Sequence, residues 1–177
     1  LSITIKEKVV CSVIGGDHPT AVPLQTLADS RADYVICGEG EIALRKLISN
    51  NLVNRNIPGV YSRETFSSDI HNIQKAEIYE DLDEIPFPDW EQIDPRRYPK
   101  APHGAIVKKY PIGVLTTSRG CPYNCTFCAS PNLYDQRIRF RSPENVLQEI
   151  MFLKEKFGVK EMHFEDDNLT SRRDHVE

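Results

Sequence analysis

Three cysteines follow one another closely in the last third of the chain, at Cys121, Cys125 and Cys128. Their spacing is Cys-x-x-x-Cys-x-x-Cys, and Pro122 and Asn124 between them favour a bent loop over a helix. On such a loop three thiolates can converge on one centre. Thiolates are soft ligands that select zinc or iron–sulfur sites. The spacing therefore predicts a metal site of one of these two kinds.

The number of ligands separates the two kinds of site. Structural zinc usually takes four protein ligands, and the loop supplies only three. His103 or His163 could complete a Cys3His zinc knot, although a lone histidine is more often a satisfied core residue. In a four-iron cluster, three cysteines would instead leave one iron open to a substrate or cofactor. Cys11 and Cys37 lie inside apolar stretches, where cysteine behaves as a small hydrophobe, so we expect no metal there.

Charge and composition exclude several classes of function. The 177 residues include 22 basic and 26 acidic side chains, and a net charge of −4 provides no overall basic field for nucleic acid. No apolar run approaches the length of a membrane span. Five cysteines, of which three are clustered, are a poor layout for disulfides and favour the cytoplasm. The basic cluster of Arg137, Arg139 and Arg141 is most simply one solvated face of an extended segment.

The first half of the chain carries a strand-turn-helix pattern twice. Apolar runs at residues 9–14 and 34–37 predict strands that are buried in a parallel sheet. The first run should lead into a helix that Thr20 caps and that ends at Ser30, and the second into a helix over residues 41–49. Such alternation is typical of βαβ units, whose ligands bind beyond the carboxyl ends of the strands. Five residues form the turns at this edge: Gly15, Gly16, Gly38, Glu39 and Gly40.

The middle of the chain is different in kind. Residues 57–66 are typical of a small hairpin. Six of the twelve prolines then fall between Pro86 and Pro111, a density that no regular helix or central strand survives. We therefore predict an ordered surface linker over residues 80–110, with Phe87 and Trp90 as packing anchors.

Regular structure resumes on both sides of the cysteine loop. Residues 112–117 predict a strand that leads into the loop. A helix should follow, with Ser142 as its cap and Gly158 as its end. Residues 161–164 predict the next strand, and Asp166 and Asp167 come directly after its carboxyl end.

The cysteine segment resembles a known family. TTSRGCPYNCTFC, residues 116–128, is similar to the signature of the radical S-adenosylmethionine (SAM) superfamily. RFRSPENVLQEI and HFEDDNLT resemble the first helix and second strand of that family's partial (β/α) barrel. The resemblance implies that each of the three cysteines binds an iron of a 4Fe-4S cluster, and that SAM binds the fourth iron and is cleaved to a 5′-deoxyadenosyl radical. It also implies that Phe127 lies beside the adenine, and that Asp166 and Asp167 bind the SAM amino group or the substrate.

The first half resembles the rear half of a cobalamin-binding domain. The similar segments are VIGGDHPTAVP, DYVICGEGEIALRKL and, in the linker, DLDEIPFPDW. The resemblance implies that Gly15 and Gly16 approach the nucleotide tail of cobalamin, where a missing side chain lets the backbone come close. It also implies that Gly38, Glu39 and Gly40 line the same edge.

Together these features predict an α/β chain with three parts. Residues 1–70 form the C-terminal part of a Rossmann-like cobalamin-binding domain, 71–110 a proline-rich linker, and 111–177 the first βα units of a radical SAM barrel. The predicted function is a cobalamin-dependent radical SAM enzyme of the methyltransferase or cyclase type. The alternatives are a radical SAM enzyme whose front domain is a scaffold without cobalamin, and a non-enzymatic zinc or iron–sulfur binding module.

The resemblance also implies partners. We expect a small-molecule, lipid or tetrapyrrole-like substrate, an electron donor such as flavodoxin or ferredoxin, and no nucleic acid. The rest of the cobalamin domain should lie upstream of Leu1, and the 177-residue chain alone should be inactive. No catalytic residue is assigned.

Overall fold

The described part of the computed structural model comprises residues 11–64, 73–100 and 106–176. It divides into two compact units, Leu1–Tyr79 and Glu80–Glu177. Both units combine helices with short strands, and each contains a parallel strand pair, so the predicted α/β class is confirmed. The start of the predicted strand 9–14, the end of the predicted hairpin 57–66, and His103 lie outside the described residues.

The described residues of the first unit form three helices and three strands. In chain order they are β1 (Val13–Ile14), α1 (Asp17–Ala21), α2 (Pro23–Ser30), β2 (Tyr34–Ile36), α3 (Glu41–Ser49) and β3 (Val60–Tyr61). The sheet has the order β1-β2-β3, and β1 and β2 are parallel. The predicted parallel strand pair and the helix over residues 41–49 are therefore confirmed.

The prediction of one helix after β1 is wrong, because two helices form there. Pro23 is the first residue of α2, and Val22 before it leaves the helical conformation, with φ −137° and ψ 62°. Proline disfavours the α conformation in the residue before it, which separates α1 from α2. Thr20 lies inside α1, so its predicted role as a helix cap is also wrong.

The hairpin over residues 57–66 stays a prediction, because its second half lies outside the described residues. β3 pairs antiparallel with β2, with Val60 opposite Ile36. An unpaired strand edge is a template for the next extended segment, and β2 offers such an edge on the side away from β1. The buried face of α3, formed by Ala43 and Leu47, packs against Ile36 and Val60 of this sheet.

The second unit holds the cysteine loop between its strands. In chain order its regular elements are β4 (Ile112–Leu115), β5 (Ser118–Arg119), α4 (Ser130–Tyr134), β6 (Arg139–Phe140), α5 (Pro143–Phe157), β7 (Glu161–Phe164) and α6 (Arg173–Val176). β4 and β7 are parallel neighbours joined through α5, and β5 pairs antiparallel with β6. The predicted β-loop-α-β order is confirmed.

The ends of α5 follow the local rules that predict them. The Ser142 side chain accepts a hydrogen bond from the Asn145 N–H at 3.1 Å, and Gly158 takes the left-handed conformation at the C-terminal end. Leu153 and Phe157 are buried beneath β4 and β7. This packing holds the parallel pair on one face of the helix.

Residues 80–100 and 106–110 of the predicted linker are described by the structure and belong to the second unit. These described residues form no α-helix or strand and only two 3-10 turns, Leu82–Glu84 and Pro95–Arg97. Trp90 is 8% exposed, and its Nε1–H donates to Glu149 Oε1 at 2.8 Å. Glu149 is itself buried, and Arg141 Nη1 lies 2.6 Å from its other oxygen. Phe87 packs against the same core, so both predicted anchors are confirmed.

Candidate functional site

The three clustered cysteines lie on the loop that joins β5 to α4. Cys125 and Cys128 are exposed, Cys121 is partly buried, and all three are free thiols. The Cys128 N–H donates to the Cys125 carbonyl oxygen at 3.1 Å, which makes a tight turn between the second and third cysteines. The prediction that these residues occupy a loop and not a helix is confirmed.

The donor set on this loop is three free thiols, the ligand type that zinc and iron–sulfur sites share. Among the described residues, no three His, Cys, Asp or Glu side chains are placed to hold one ion. Structural zinc needs four ligands around one atom, but a cluster takes each thiolate on a different iron, so the sulfurs need not meet at one point. His163, a candidate fourth zinc ligand, instead has its Nε2 atom 3.1 Å from Glu161 Oε1.

Gly120 shapes the entrance to the cysteine loop. Its φ is +88°, a conformation that residues with a side chain rarely adopt. A Cβ atom there would lie 2.1 Å from the Arg137 carbonyl oxygen and 2.9 Å from Tyr134 Cβ. Only glycine therefore fits directly before Cys121.

Asp166, at the carboxyl end of β7, is hydrogen-bonded to the start of the loop. Its Oδ1 accepts from the Thr117 N–H at 3.0 Å and from the Thr117 hydroxyl at 2.9 Å. It also accepts from the N–H of Ser118 and, at 2.6 Å, from the Ser118 hydroxyl. Protein groups therefore occupy much of this carboxylate, and the predicted contact of Asp166 with SAM stays a prediction.

The next two residues also contact the cysteine loop. Asp167 Oδ2 accepts from the Ser130 hydroxyl at 3.0 Å, at the point where the loop enters α4. Asn168 Nδ2 lies 4.0 Å from the sulfur of Cys121. Sequence reasoning missed Thr117, Ser118, Ser130 and Asn168. The sequence did contain a signal for these contacts. Residues with hydroxyl groups lie on both sides of the three cysteines, and two aspartates follow the next parallel strand.

His175 extends the same hydrogen-bond network. Its Nε2 lies 2.8 Å from the Thr117 hydroxyl oxygen. That hydroxyl gives its one proton to Asp166, so it accepts from His175, which assigns the ring proton to Nε2. His175 Nδ1 is buried and has no partner among the described residues.

Phe127 and the arginines near the loop have different environments. The Phe127 side chain is 91% exposed, and its predicted contact with adenine stays a prediction. The interpretation of three arginines as one solvated face is wrong. Arg139 and Arg141 are largely buried, and Arg141 is held by Glu149. Arg137 alone is well exposed, and it pairs with Glu80 at 2.6 Å.

In the first unit, the predicted glycine turns follow β1 and β2. A Cβ atom on Gly16 or Gly40 would meet nothing within 4 Å, and on Gly15 it would meet only Ile36 at 3.9 Å. Gly38 has φ +91°, and a Cβ atom there would lie 3.2 Å from Lys75. Among the described residues, Gly15, Gly16 and Gly40 therefore have open space beside their backbone. Gly16, with φ +104°, and Gly38 also have a backbone conformation that favours glycine. Glu39, between two of these glycines, is partly buried.

Thr20 joins the two glycine turns. Its hydroxyl donates to the Gly16 carbonyl oxygen at 2.7 Å and accepts from the Gly38 N–H at 2.8 Å. This residue of α1 thus fixes the ends of both parallel strands relative to each other.

Cys37, directly before Gly38, is fully buried. Burial raises the pKa of its thiol to about 11, because the thiolate would lose its hydration. At neutral pH Cys37 therefore stays a thiol, and the expectation that it binds no metal stays a prediction.

Comparison with known proteins finds a family that this loop is similar to. Residues 115–177 match the Radical SAM superfamily. The match begins at the last residue of β4 and includes the three cysteines and both aspartates.

Individual relatives match more of the chain. It is 33% identical to an uncharacterized methyltransferase of Pyrococcus horikoshii, over 89% of this chain and 33% of the relative. It is 29% identical to the cytidylyl-2-hydroxyethylphosphonate methyltransferase of Streptomyces wedmorensis, over 93% of this chain and 35% of the relative. The chain thus spans about a third of the length of these curated relatives.

A solved structure has the same fold over nearly the whole chain. It is the radical SAM methyltransferase TsrM of Kitasatospora setae, with cobalamin and a 4Fe-4S cluster bound. The TM-score is 0.64 at 21% identity, over 99% of this chain and 34% of that one.

Within the described residues, no helix has the length and apolar character that a membrane crossing requires.

Proposed function

We propose that the chain is part of a cobalamin-dependent radical SAM enzyme, of the methyltransferase or cyclase type, and that Cys121, Cys125 and Cys128 each bind one iron of a 4Fe-4S cluster. When bound, such a cluster supplies the electron for reductive cleavage of SAM. The observation that carries the proposal is a loop of three free thiols, hydrogen-bonded near both ends, inside the segment that matches the superfamily.

The residues around the loop have distinct proposed roles. Asp167 is exposed apart from its bond to Ser130, so it remains accessible to the amino group of SAM. Phe127 presents an uncovered ring for the adenine. Asp166 is engaged by Thr117 and Ser118, which makes it the weaker candidate for direct contact with SAM.

For cobalamin, the open backbone of the glycine turns supports the proposal. Gly15, Gly16 and Gly40 have room where other residues carry a side chain, and apolar or planar groups can approach such backbone closely. Gly38 and Glu39 complete the edge. The proposed limits are 1–70 for the cobalamin part, 71–110 for the linker and 111–177 for the start of the barrel.

The two relatives described above are named as methyltransferases, and a further relative, from Rubrivivax gelatinosus, is named as a cyclase, so both types of reaction remain in the proposal. For the whole protein we propose a small-molecule, lipid or tetrapyrrole-like substrate, an electron donor such as flavodoxin or ferredoxin, no nucleic-acid partner and a place in the cytoplasm. The 177-residue chain alone should produce little 5′-deoxyadenosine. Reactions of this kind need a SAM pocket that excludes water, and the described barrel strands leave the cysteine loop exposed.

The test is anaerobic reconstitution, with iron, sulfide and hydroxocobalamin, of the chain in a form extended upstream of Leu1 by the rest of the predicted cobalamin domain. A brown protein with close to four irons and corrinoid absorption after gel filtration is the expected result. Iron without corrinoid would favour the alternative of a scaffold domain that lacks cobalamin. A colourless protein that binds one zinc ion would overturn the proposal in favour of a binding module.

A further inference from the structure

We infer that Asp166 is a positioning residue for the cysteine loop, with Asp167 and Asn168 as its auxiliaries, so that the segment after β7 determines how firmly the cluster is held. The inference rests on the proposed function. It assigns Asp166 a task inside the protein in addition to, or in place of, a contact with SAM.

The first step is the placement of the hydrogen-bond donors that Asp166 contacts. β4 ends at Leu115 and β5 begins at Ser118, so the backbone turns away from its strand partner at Thr117. Thr117 and Ser118 are 4% and 3% exposed. At such a buried bend the N–H groups need an acceptor that no strand supplies. Asp166 supplies it for both residues and accepts from both hydroxyls as well.

The second step is the strength of this arrangement. Hydrogen bonds to an ionised carboxylate are about twice as strong as those between neutral groups. The donors are buried, so removal of the acceptor leaves them unsatisfied, which costs about 1–3 kcal/mol for each such group. Three residues separate Thr117 from Cys121, and Gly120 fits its place tightly. A shift at Thr117 therefore moves the first cysteine.

The third step is the other end of the loop. Asp167 accepts from Ser130, which is 5% exposed and lies two residues after Cys128. Asn168 reaches the sulfur of Cys121 at 4.0 Å. Three consecutive residues thus contact the entrance, the exit and one thiol of the same loop. Asp166 makes most of these contacts, so its removal should have the largest effect.

The experiment compares four forms of the reconstituted 177-residue chain: wild type, Asp166→Ala, Asp166→Asn and Glu165→Ala. Glu165 is the matched control, because it is the adjacent acidic residue and is exposed. We measure the iron bound, the rate of iron loss to a ferrous chelator, and the EPR spectrum of the reduced cluster before and after SAM is added. Circular dichroism reports whether each variant is folded.

We expect Asp166→Ala to lose iron at least about tenfold faster than wild type, which corresponds to one unsatisfied buried donor. Asp166→Asn keeps an oxygen acceptor, so its rate of iron loss should stay within about threefold of the wild-type rate. The rate for Glu165→Ala should equal the wild-type rate. If Asp166→Ala fails to fold, the double variant Thr117→Val with Ser118→Ala removes both hydroxyl donors to Asp166, together with the acceptor of His175, and should still lose iron about threefold faster.

The outcomes separate the two proposals. If wild type takes up no iron, the proposed function fails and this inference fails with it. If wild type and Asp166→Ala hold iron equally well, and only the EPR change on SAM addition is lost, Asp166 contacts SAM and the inference alone is overturned. An unchanged rate of iron loss in the double variant would also overturn it.

Discussion

The cysteine loop follows the parallel strand β4 after the short strand β5, and the glycine turns follow the parallel strands β1 and β2, but the two regions differ in what they present. The loop presents side chains, namely three thiols with one almost fully exposed aromatic ring. The turns present backbone from which side chains are missing. In both regions the hydroxyl groups of side chains form hydrogen bonds that hold the backbone in place. Thr117 and Ser118 do so beside the loop, and Thr20 does so between the turns.

This difference affects how each region tolerates mutation. A site made of side chains fails when a ligand is removed, even if the fold survives. A site made of open backbone fails when a side chain is added. Binding should therefore be lost without unfolding by removing a side chain from the cysteine loop, and by adding a side chain to a glycine turn.

The largest expected effect is the loss of the cluster when a cysteine ligand is removed. Cys121→Ala, Cys125→Ala or Cys128→Ala should each abolish the brown chromophore after anaerobic reconstitution, because in the proposed cluster each thiolate holds its own iron. Cys11→Ala and Cys37→Ala serve as controls and should keep the wild-type iron content. Equal iron loss from Cys37→Ala would contradict the ligand assignment.

The next effect contrasts two glycines. Gly120→Ala should destabilise the second unit by at least about 2 kcal/mol, because the added methyl group meets the Arg137 carbonyl oxygen at a positive φ. Gly40→Ala should leave unfolding nearly unchanged, since its φ is −90° and its surroundings are open. Urea unfolding measures both changes.

The same pair of variants tests the glycine turns as a ligand edge. Gly40→Ala should weaken corrinoid binding while its stability stays at the wild-type value. If Gly40→Ala binds corrinoid as tightly as wild type, the contrast between side-chain and backbone sites does not hold at this position.

A smaller effect is expected at Thr20. Thr20→Val keeps the shape of the side chain but removes the acceptor of the Gly38 N–H, which should cost about 1 kcal/mol of stability in the first unit. Corrinoid affinity should fall and the iron content should not change. Thr20→Ser, which keeps the hydroxyl, should restore the affinity. A change in iron content would show that the hydrogen bonds of Thr20 matter beyond the first unit.

A further effect is a dependence of stability on pH at Cys37. Its pKa is raised from 9.0 to about 11 by burial, so the folded state disfavours the thiolate. The stabilising contribution of the neutral thiol is complete below about pH 9 and is lost as the pH rises through about 11. Urea unfolding at pH 8 and pH 11 should show a larger loss of stability for wild type than for Cys37→Ala. The same loss in both proteins would contradict the assignment.

Local rules predict the parts of the fold in which neighbours in sequence are also neighbours in space. Ser142 and Gly158 predict the two ends of the helix Pro143–Phe157, and the glycine turn before α3 predicts where α3 begins. These predictions succeed because caps and glycines act on residues only a few positions away. The spacing of the cysteines is visible for the same reason.

The missed features depend on partners that are distant in sequence. β3 pairs with β2 because that edge is open, which the residues 57–66 do not reveal. Asp166 bonds to residues 48 and 49 positions earlier, and the pattern of the sequence shows only two acids after a strand. Thr20 has the residue type of a cap, and only the parallel pairing of β1 with β2 brings Gly38 close enough to use its hydroxyl.

The buried pair of Trp90 and Glu149 bears on how the protein can be dissected. A recombinant piece that starts at residue 111 would lack the indole N–H and leave a buried carboxylate with one partner fewer. A piece that starts at Glu80 keeps that partner and coincides with the start of the second unit. Limited proteolysis that cuts before Glu80 should therefore release a resistant product, while truncation after Trp90 should give a piece that is easily degraded.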